Sequence, residues 1–293
     1  MTSERTVRRV LGLTWDQGGG RTFWVLHPVW LGANKSAMRF LLTNDDGIYA
    51  QGLAAIKHEL EKIGEVVVIA PVTEQSAVGH TITIADPLRV IPIHRGGDFY
   101  GYGITGSPAD CVKLGVSCLM DPPPDVVVSG INKGENVGIN VLYSGTVSAA
   151  TEALILGFTG IALSVDNYFH PDYNAASIFG TRLASRLASL GKPLPFALNV
   201  NCPSAPLAEI KGVRITRQGD SRIVDNFVQR TDPRGITYYW QAGMTKIMDE
   251  TEDTDAVCLK NKIISITPIQ YKLGCDKREF LSGIDLEGLL SGM

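Results

Sequence analysis

Hydrophobic and polar positions form alternating blocks along the first two thirds of the chain, and these blocks predict strands and helices in turn. Residues 38–43 are a short apolar run typical of a buried strand, and residues 51–63 carry apolar side chains every three or four positions, as an amphipathic helix does. A second apolar run, rich in β-branched residues, covers 66–69 after Gly64. Strand, helix and strand in this order predict a β-α-β unit with parallel strands.

The alternation continues to about residue 200. Ser107, Pro108 and Asp110 are typical of a helix start, as N-cap, first residue and first-turn acid. Further strands are predicted at 81–84, 88–93, 100–104, 125–129, 159–165 and 196–200, and further helices at 147–156 and 177–190. The first two of these strands suggest a hairpin. We therefore predict an α/β fold with a parallel sheet and helices on both faces.

The pattern is looser beyond Pro206, where the strand-like segments 212–216, 237–240 and 263–267 are separated by charged loops. We expect three regions, namely an extension (1–37), an α/β core (38–207) and a β-rich segment packed on the core (208–293). The aromatic run 238–240 could close over a ligand, but subunit packing is favoured because interfaces are rich in aromatic residues. The last region is therefore predicted to be an oligomerisation segment.

Residues 1–37 differ in character from the rest, with arginines near the start and a run of three glycines. Their apolar stretch is too short for a membrane span and lacks the pattern of a cleaved signal. We expect a poorly ordered extension, with Met38 as an alternative start.

Composition limits the classes of partner. The 293 residues are 44% hydrophobic and 19% charged, with a net charge of −3 and a pI near 6.0. This balance offers no basic surface for a nucleic-acid polymer, and no membrane partner is expected. The five cysteines form no C-x-x-C pair, which fits a reducing, cytoplasmic location.

Two adjacent acids, Asp45 and Asp46, follow the first predicted strand directly. Neighbouring carboxylates in a partly desolvated turn repel each other unless a cation neutralises them. No lysine or arginine lies close by in sequence, so a divalent ion such as Mg²⁺ or Mn²⁺ is the first hypothesis. The alternative is a simple turn that leads into the next helix.

Oxygen ligands of the same kind recur on two other loops at the predicted edge of the sheet, at Ser76 and Asn132. Ligands bind at the carboxyl ends of strands in such sheets, so these residues are predicted to join the acids around one metal ion. A glycine-rich loop then leads into a helix whose start would offer N–H groups to an anion. The predicted phosphate ligands are Asn136, Ser144, Gly145 and Thr146.

A formal G-x-G-x-x-G match covers residues 101–106. Its glycines fall within and just after a predicted strand, and the next acid, Asp125, begins a strand where a ribose-binding acid should end one. A role in a turn and helix cap is favoured over cofactor binding.

Several motifs together resemble the SurE family, the stationary-phase survival proteins. They are LLTNDDGI (41–48), SAVGH (76–80), GSPADCV (106–112), VSGINKGEN (128–136) and YSGT (143–146). The resemblance implies a Rossmann-like core, a homodimer or homotetramer with an exchanged C-terminal segment, and a metal-dependent phosphatase for nucleoside 5'- and 3'-monophosphates. It also implies the metal ligands Asp45, Asp46, Ser76 and Asn132. Residues 72–75 lack the arginines often found in the family, which leaves substrate preference open.

The expected reaction is hydrolysis of a nucleoside monophosphate, a small-molecule substrate, with one divalent metal ion per subunit. Asp45 and Asp46 are the candidate catalytic residues, and either could orient the attacking water. His80 is left open between a proton donor and a structural histidine. The alternatives are a receiver-like signalling module that binds Mg²⁺ and a non-catalytic nucleotide-binding protein.

Overall fold

A nine-stranded sheet organises the part of the chain that the computed structural model describes, namely residues 38–190, 195–249 and 251–274. The strands are β1 (Met38–Thr43), β2 (Gly64–Pro71), β3 (Val90–Arg95), β4 (Asp98–Ile104), β5 (Val126–Lys133), β6 (Thr159–Val165), β7 (Ala197–Cys202), β8 (Gly212–Ile215), β9 (Arg222–Val224), β10 (Phe227–Thr231), β11 (Thr237–Gln241), β12 (Met244–Lys246) and β13 (Ile263–Ile269). The α-helices are α1 (Gln51–Leu60), α2 (Pro108–Leu114), α3 (Gly145–Ile155), α4 (Asn174–Ser189) and α5 (Asp255–Lys260).

The sheet has the order β3-β4-β2-β1-β5-β6-β7-β13-β8. The six strands from β4 to β7 in this order run parallel, while β3 is antiparallel to β4 and β13 is antiparallel to β7. The predicted mostly parallel α/β fold is confirmed. Because parallel strands end at the same edge, the loops that follow β1, β2, β5 and β6 meet there.

Helices cover both faces of the sheet, and β1 shows how the sequence achieves this. Phe40 and Leu42 point into the core beneath α1 and α4, while Leu41 points into the core beneath α2 and α3. All three are fully buried, so the run is apolar throughout instead of alternating with polar residues. Burial of each such side chain stabilises the fold by about 1.5–3 kcal/mol.

One predicted strand is wrong. Residues 81–84 form no strand, and the hairpin lies instead between β3 and β4. Thr83 donates its N–H to Asp110 Oδ1 at 3.0 Å and its hydroxyl to Oδ2 at 2.7 Å, so its backbone donor is satisfied outside any ladder. Ile84 is 85% exposed, which removes the packing that would favour a strand.

The end of β5 is also predicted wrongly. The strand continues beyond Ser129 to Lys133, with a shift of register against β6 between Gly130 and Asn132. Gly130 has a φ of 139°, and a Cβ atom there would lie 2.3 Å from the carbonyl oxygen of Leu163. This irregularity carries Asn132 and Lys133 to the edge of the sheet as the last residues of a strand.

The segment after residue 207 contributes to the main sheet and also extends from it. Strands β8 and β13 complete the nine-stranded sheet, whereas β9 with β12 and β10 with β11 form two small antiparallel ribbons. The boundary predicted at residue 207 therefore does not separate the sheet from the appendage. The extension predicted for 1–37 lies outside the described residues, as do residues 275–293.

The remaining predicted elements are confirmed, with ends shifted by a few residues.

In the G-x-G-x-x-G match, Gly101 and Gly103 lie inside β4, where added Cβ atoms would meet Val68 and Val72. No helix in the described part of the chain combines the length and apolar character needed to cross a bilayer.

The start of α2 is a reciprocal capping box. Ser107 Oγ accepts from the N–H of Asp110 at 3.1 Å, and Asp110 Oδ2 accepts from the N–H of Ser107 at 2.9 Å. Because the same carboxylate also holds Thr83, the cap ties the loop before β3 to α2.

We expect Ser107→Ala to lower the free energy of unfolding by about 1 kcal/mol, because it leaves the N–H of Asp110 without its acceptor. Urea unfolding followed by circular dichroism measures this. The control is Ser189→Ala at the exposed end of α4, expected to stay within about 0.5 kcal/mol of the unaltered protein. Equal losses in the two variants would contradict a capping role.

Candidate active site

The acidic pair lies in the bend that leaves β1, the strand between β2 and β5. Asn44 closes this bend, since its Nδ2 donates to the carbonyl oxygen of Gly47 at 3.0 Å. Gly47 has a φ of 93°, a conformation that favours glycine. The turn thus places Asp45 and Asp46 at the carboxyl edge of the sheet, as predicted.

Asp45 is bound by the first turn of α3. Its Oδ2 accepts from the N–H of Thr146 at 3.0 Å, and its Oδ1 accepts from the Thr146 hydroxyl. Asp45 is only 4% exposed, and a Cβ atom added to Gly145 would lie 2.8 Å from the Cβ atom of Asp45. A glycine at 145 is therefore what allows the helix to approach the acid this closely.

Asp46 has a basic partner that the sequence analysis missed. Lys133 Nζ lies 3.5 Å from Asp46 Oδ1, and the N–H of Lys133 points at Oδ2 from 3.4 Å. The same ammonium lies 3.2 Å from Glu74 Oε1. Lys133 is 87 positions away in sequence, but it directly follows Asn132, which was predicted to lie at this edge. That adjacency was the available signal.

Burial makes both acids costly to ionise. It raises the pKa of Asp45, against the opposing hydrogen bonds from Thr146. Burial and the neighbouring charge of Asp45 raise the pKa of Asp46 to about 6, although Lys133 opposes the shift. One nearby ammonium therefore does not compensate the pair fully.

The loop after β2 meets the acidic bend. The N–H of Gln75 donates to the carbonyl oxygen of Asp45 at 2.7 Å, so Ser76 directly follows a residue that contacts the bend. Ser76 Oγ donates to Glu74 Oε1 at 2.7 Å. This bond, together with Lys133, lowers the pKa of Glu74.

Asn132 comes to the same edge at the end of β5. Its Nδ2 donates to the carbonyl oxygen of Gly134 at 2.8 Å, which orients the side chain. Among the described residues, no donor pairs with its amide oxygen. That atom remains available as a ligand.

The predicted phosphate ligands fall into two groups. Ser144 caps α3, because its Oγ accepts from the N–H of Val147 at 3.1 Å, so it lies with Gly145 and Thr146 at the helix start. Asn136 instead belongs to a buried network, in which its Nδ2 donates to Ser164 Oγ at 2.9 Å and its N–H donates to Asn201 Oδ1 at 2.8 Å. Its amide nitrogen is thus already engaged.

His80 has a carboxylate partner. Its Nε2 lies 2.7 Å from Glu152 Oε2, and Lys113 Nζ lies 2.9 Å from Oε1 of the same group. Glu152 is almost fully buried in α3. Burial tends to raise its pKa, but the bonds from His80 and Lys113 lower it below the usual value.

The donor set fits a hard divalent cation. Asp46 Oδ1 is buried without a hydrogen bond, and so is Asn44 Oδ1. Two carboxylates, the Ser76 hydroxyl and the Asn132 amide oxygen are the ligand types that Mg²⁺ and Mn²⁺ take. No three His, Cys, Asp or Glu side chains cluster as a metal group in the described residues, so the remaining ligands would be neutral oxygens.

A parallel α/β sheet with an acidic pair at its carboxyl edge, beside a helix start, defines an α/β protein of the class that binds its ligands at this edge of the sheet. The comparisons with known proteins identify the family within this class. The family model for "Survival protein SurE" matches residues 40–225. The chain belongs to the SurE family.

Curated relatives agree with this assignment over nearly their full lengths. The 5'-nucleotidase SurE of Syntrophobacter fumaroxidans is 50% identical, over 80% of this chain and 94% of its own. The protein of the same name from Syntrophus aciditrophicus is 48% identical, over 80% and 89%. The crystal structure of the SurE protein from Aquifex aeolicus matches with a TM-score of 0.71 and 35% identity, over 86% of this chain and 99% of that one.

The raised pKa of Asp46 predicts a dependence of stability on pH in metal-free protein. Folding raises this pKa from 3.8 to about 6, so the folded chain binds more protons between these values and loses stability as the pH rises through them. We expect Asp46→Asn to remove this penalty and to raise the free energy of unfolding at pH 7 by roughly 1–3 kcal/mol.

Urea unfolding in EDTA measures the difference between the two proteins. The gain should be small near pH 4 and should grow toward pH 7. A gain of the same size at both pH values would show that the charge of Asp46 is not its source.

Proposed function

We propose that this protein is a divalent-metal-dependent 5'-nucleotidase, which hydrolyses nucleoside 5'-monophosphates, and also 3'-monophosphates, to nucleoside and phosphate. The observation that carries the proposal is the acidic pair beside the start of α3, in which Asp45 is buried and Asp46 is partly buried. The names of the curated relatives support the same activity.

Asp45, Asp46, Ser76 and Asn132 would hold one Mg²⁺ or Mn²⁺ ion. When bound, such an ion neutralises charge on the phosphate group and makes nearby water more acidic. The two carboxylates gain most from it, since burial raises the pKa of both in its absence. The site therefore has a negative charge that Lys133 compensates only in part, and this charge favours cation binding.

The residues around the pair have distinct tasks. Thr146 fixes the Asp45 carboxylate through both of its donors, and the N–H of Val147 bonds the Ser144 hydroxyl, so at the start of α3 it is the N–H of Gly145 that would meet a phosphate oxygen. Lys133 would pair with a phosphate oxygen once a metal ion neutralises Asp46. Each well-aimed donor supplies about 3 kcal/mol of transition-state stabilisation.

Proton transfer involves Asp46 more readily than Asp45. Both carboxylate oxygens of Asp45 accept hydrogen bonds from Thr146, whereas Asp46 Oδ1 accepts no hydrogen bond. Asp46 is thus the better placed of the two to orient water. His80 bonds Glu152 and Asn136 bonds Ser164, so the geometry gives both residues structural partners and favours supporting roles for them.

The two alternatives fit the site less well. A receiver-like module needs a phosphorylated aspartate at the end of the strand beside β1, but β5 ends in Asn132 and Lys133. A non-catalytic nucleotide-binding protein would share the same site without releasing phosphate. An assay of phosphate released from 5'-AMP with Mn²⁺ separates this alternative from the enzyme.

We expect Asp45→Asn to reduce phosphate release from 5'-AMP by at least about 100-fold, because the variant loses a negative ligand for the cation. The fold should survive, since an amide can still accept from the Thr146 N–H and donate to its hydroxyl. Release of phosphate and the rise in melting temperature on adding Mn²⁺ are the two measurements.

Asp86→Asn is the matched control, because Asp86 is exposed on a loop. It should keep both the activity and the thermal shift caused by Mn²⁺. Near-normal turnover in Asp45→Asn would exclude this residue from the chemistry.

The ribbon of β10 and β11 supports the predicted oligomer, a homodimer or homotetramer. Every residue of β11 is exposed, including Tyr238 and Trp240, whose rings lie 6.4 Å apart on one face, and Phe227 on β10 is 60% exposed. A two-stranded ribbon is marginally stable alone, so a second copy of the chain would stabilise it.

A cytoplasmic location fits the four described cysteines, which are all free.

We expect the double variant Tyr238→Ser with Trp240→Ser to have a lower mass in light scattering than the unaltered protein, because it removes the aromatic face of the ribbon. Tyr271→Ser, at another exposed aromatic residue, should leave the mass unchanged. Point variants are sharper here than truncation after Leu207, which would also remove β8 and β13 from the main sheet. An unchanged mass in the double variant would rule out this face as the interface.

A further inference from the structure

An exposed aromatic pair stands at the same edge of the sheet as the acids. Tyr168 and Phe169 lie in the loop after β6, the strand next to β5, and they are 56% and 81% exposed. Their rings contact edge to face, with centroids 5.3 Å apart and planes at 82°. Two adjacent, exposed aromatic side chains that contact each other form a small apolar patch, which is a candidate binding surface.

Lys133 connects this pair to the acidic site. Its Nζ lies 5.2 Å from the centroid of the Tyr168 ring and 3.5 Å from Asp46 Oδ1. Because one ammonium contacts both groups, the ring lies within roughly 9 Å of the carboxylate. That separation suits a nucleotide whose phosphate lies at the acids and whose base reaches the aromatic pair.

The loop that carries the pair is held in place before any ligand arrives. Asn167 Oδ1 accepts from the N–H groups of Phe169 at 3.1 Å and His170 at 2.9 Å. Asp166 Oδ1 accepts from the N–H of Ser204 at 2.6 Å, which ties the start of the loop to the end of β7. A surface ordered in advance binds at a smaller entropic cost.

We propose that Tyr168 and Phe169 form the platform for the base of the nucleotide substrate, which stacks on the face of one ring and meets the other ring edge-on. This inference rests on the proposed nucleotidase function and adds to it the residues that distinguish a nucleotide from other phosphate esters. Stacking on an aromatic face accepts every base, because each has a π face. The site is therefore broad in base preference and favours purines through their larger area.

Tyr143 is the competing aromatic residue on the other flank of the site. It directly precedes Ser144 and is 59% exposed. In the described part of the chain, it has no ring contact and no link to the acids like that of Lys133. The geometry favours the Tyr168 side for these reasons.

The test compares a nucleotide with a phosphate ester that has no base. For the double variant Tyr168→Ala with Phe169→Ala, we expect KM for 5'-AMP to rise about 10- to 100-fold, as the loss of a stacked base predicts. KM for ribose 5-phosphate should stay within about twofold, since this substrate makes no stacking contact. Tyr168→Phe should restore stacking and keep KM for 5'-AMP near its normal value.

Two further variants locate the effect. Phe99→Ala removes an exposed aromatic residue on β4 and should change neither KM. Suppose that Tyr143→Ala raises KM for 5'-AMP but not for ribose 5-phosphate, and that the double variant leaves KM for 5'-AMP unchanged. The platform then lies on the other flank and the proposal is wrong.

Other results would overturn the proposal in distinguishable ways. An equal loss with both substrates would assign the pair to the phosphate site or to folding, and a fall in mass by light scattering would assign it to contact with a second copy. If the unaltered protein hydrolyses neither substrate, the proposed function fails. Calorimetric titration with 5'-AMP and ribose 5-phosphate then decides the platform, because only binding of 5'-AMP should weaken in the double variant.

Discussion

The contact between Asp45 and Thr146 is the constraint on which the rest of the site depends. It joins the bend after β1 to the first turn of α3, so that an acidic group and a helix start, which would bind ligands separately, face one space. Gly145 permits this contact, since any side chain there would collide with the acid. The Asp45 carboxylate lies at the N-terminal end of α3, where the helix dipole is positive, and this lowers the free-energy cost of burying its charge. A bound cation would offset the rest of that cost.

The position of the candidate site residues at the carboxyl edge of the sheet could be predicted from the sequence, because residues that follow parallel strands meet at that edge. Asp45, Asp46, Ser76 and Asn132 each follow or end an apolar run, and parallel strands bring such positions together. The carboxyl-edge position of these residues therefore follows from local sequence. Their role as metal ligands remains a proposal, supported by the buried oxygen of Asp46 that accepts no hydrogen bond.

Other features depend on contacts between distant segments, which no local pattern carries. Thr83 was predicted in a strand because it lies among β-branched residues, but Asp110 takes its backbone donor. Lys133 reaches Asp46 only because an irregularity at Gly130 extends β5 to the edge. Strands β8 and β13 were expected in an appendage because their surroundings are charged, yet they pair with each other and with β7. In each case tertiary pairing outweighs local propensity.

Stability and function are opposed at this site. Burial raises the pKa values of both acids, and the charge of Asp45 adds to the shift of Asp46, so at neutral pH the ionised pair lowers the stability of the metal-free fold. A bound cation would reverse that sign, and its binding energy would then stabilise the folded chain by mass action. Lys133 offsets only part of the repulsion, and this is consistent with a site that holds a moderate residual charge. A stronger internal cation would stabilise the empty site but would compete with the metal for the same oxygens. The arrangement therefore favours a chain whose metal-bound form, which is the form that would react, is more stable than its metal-free form.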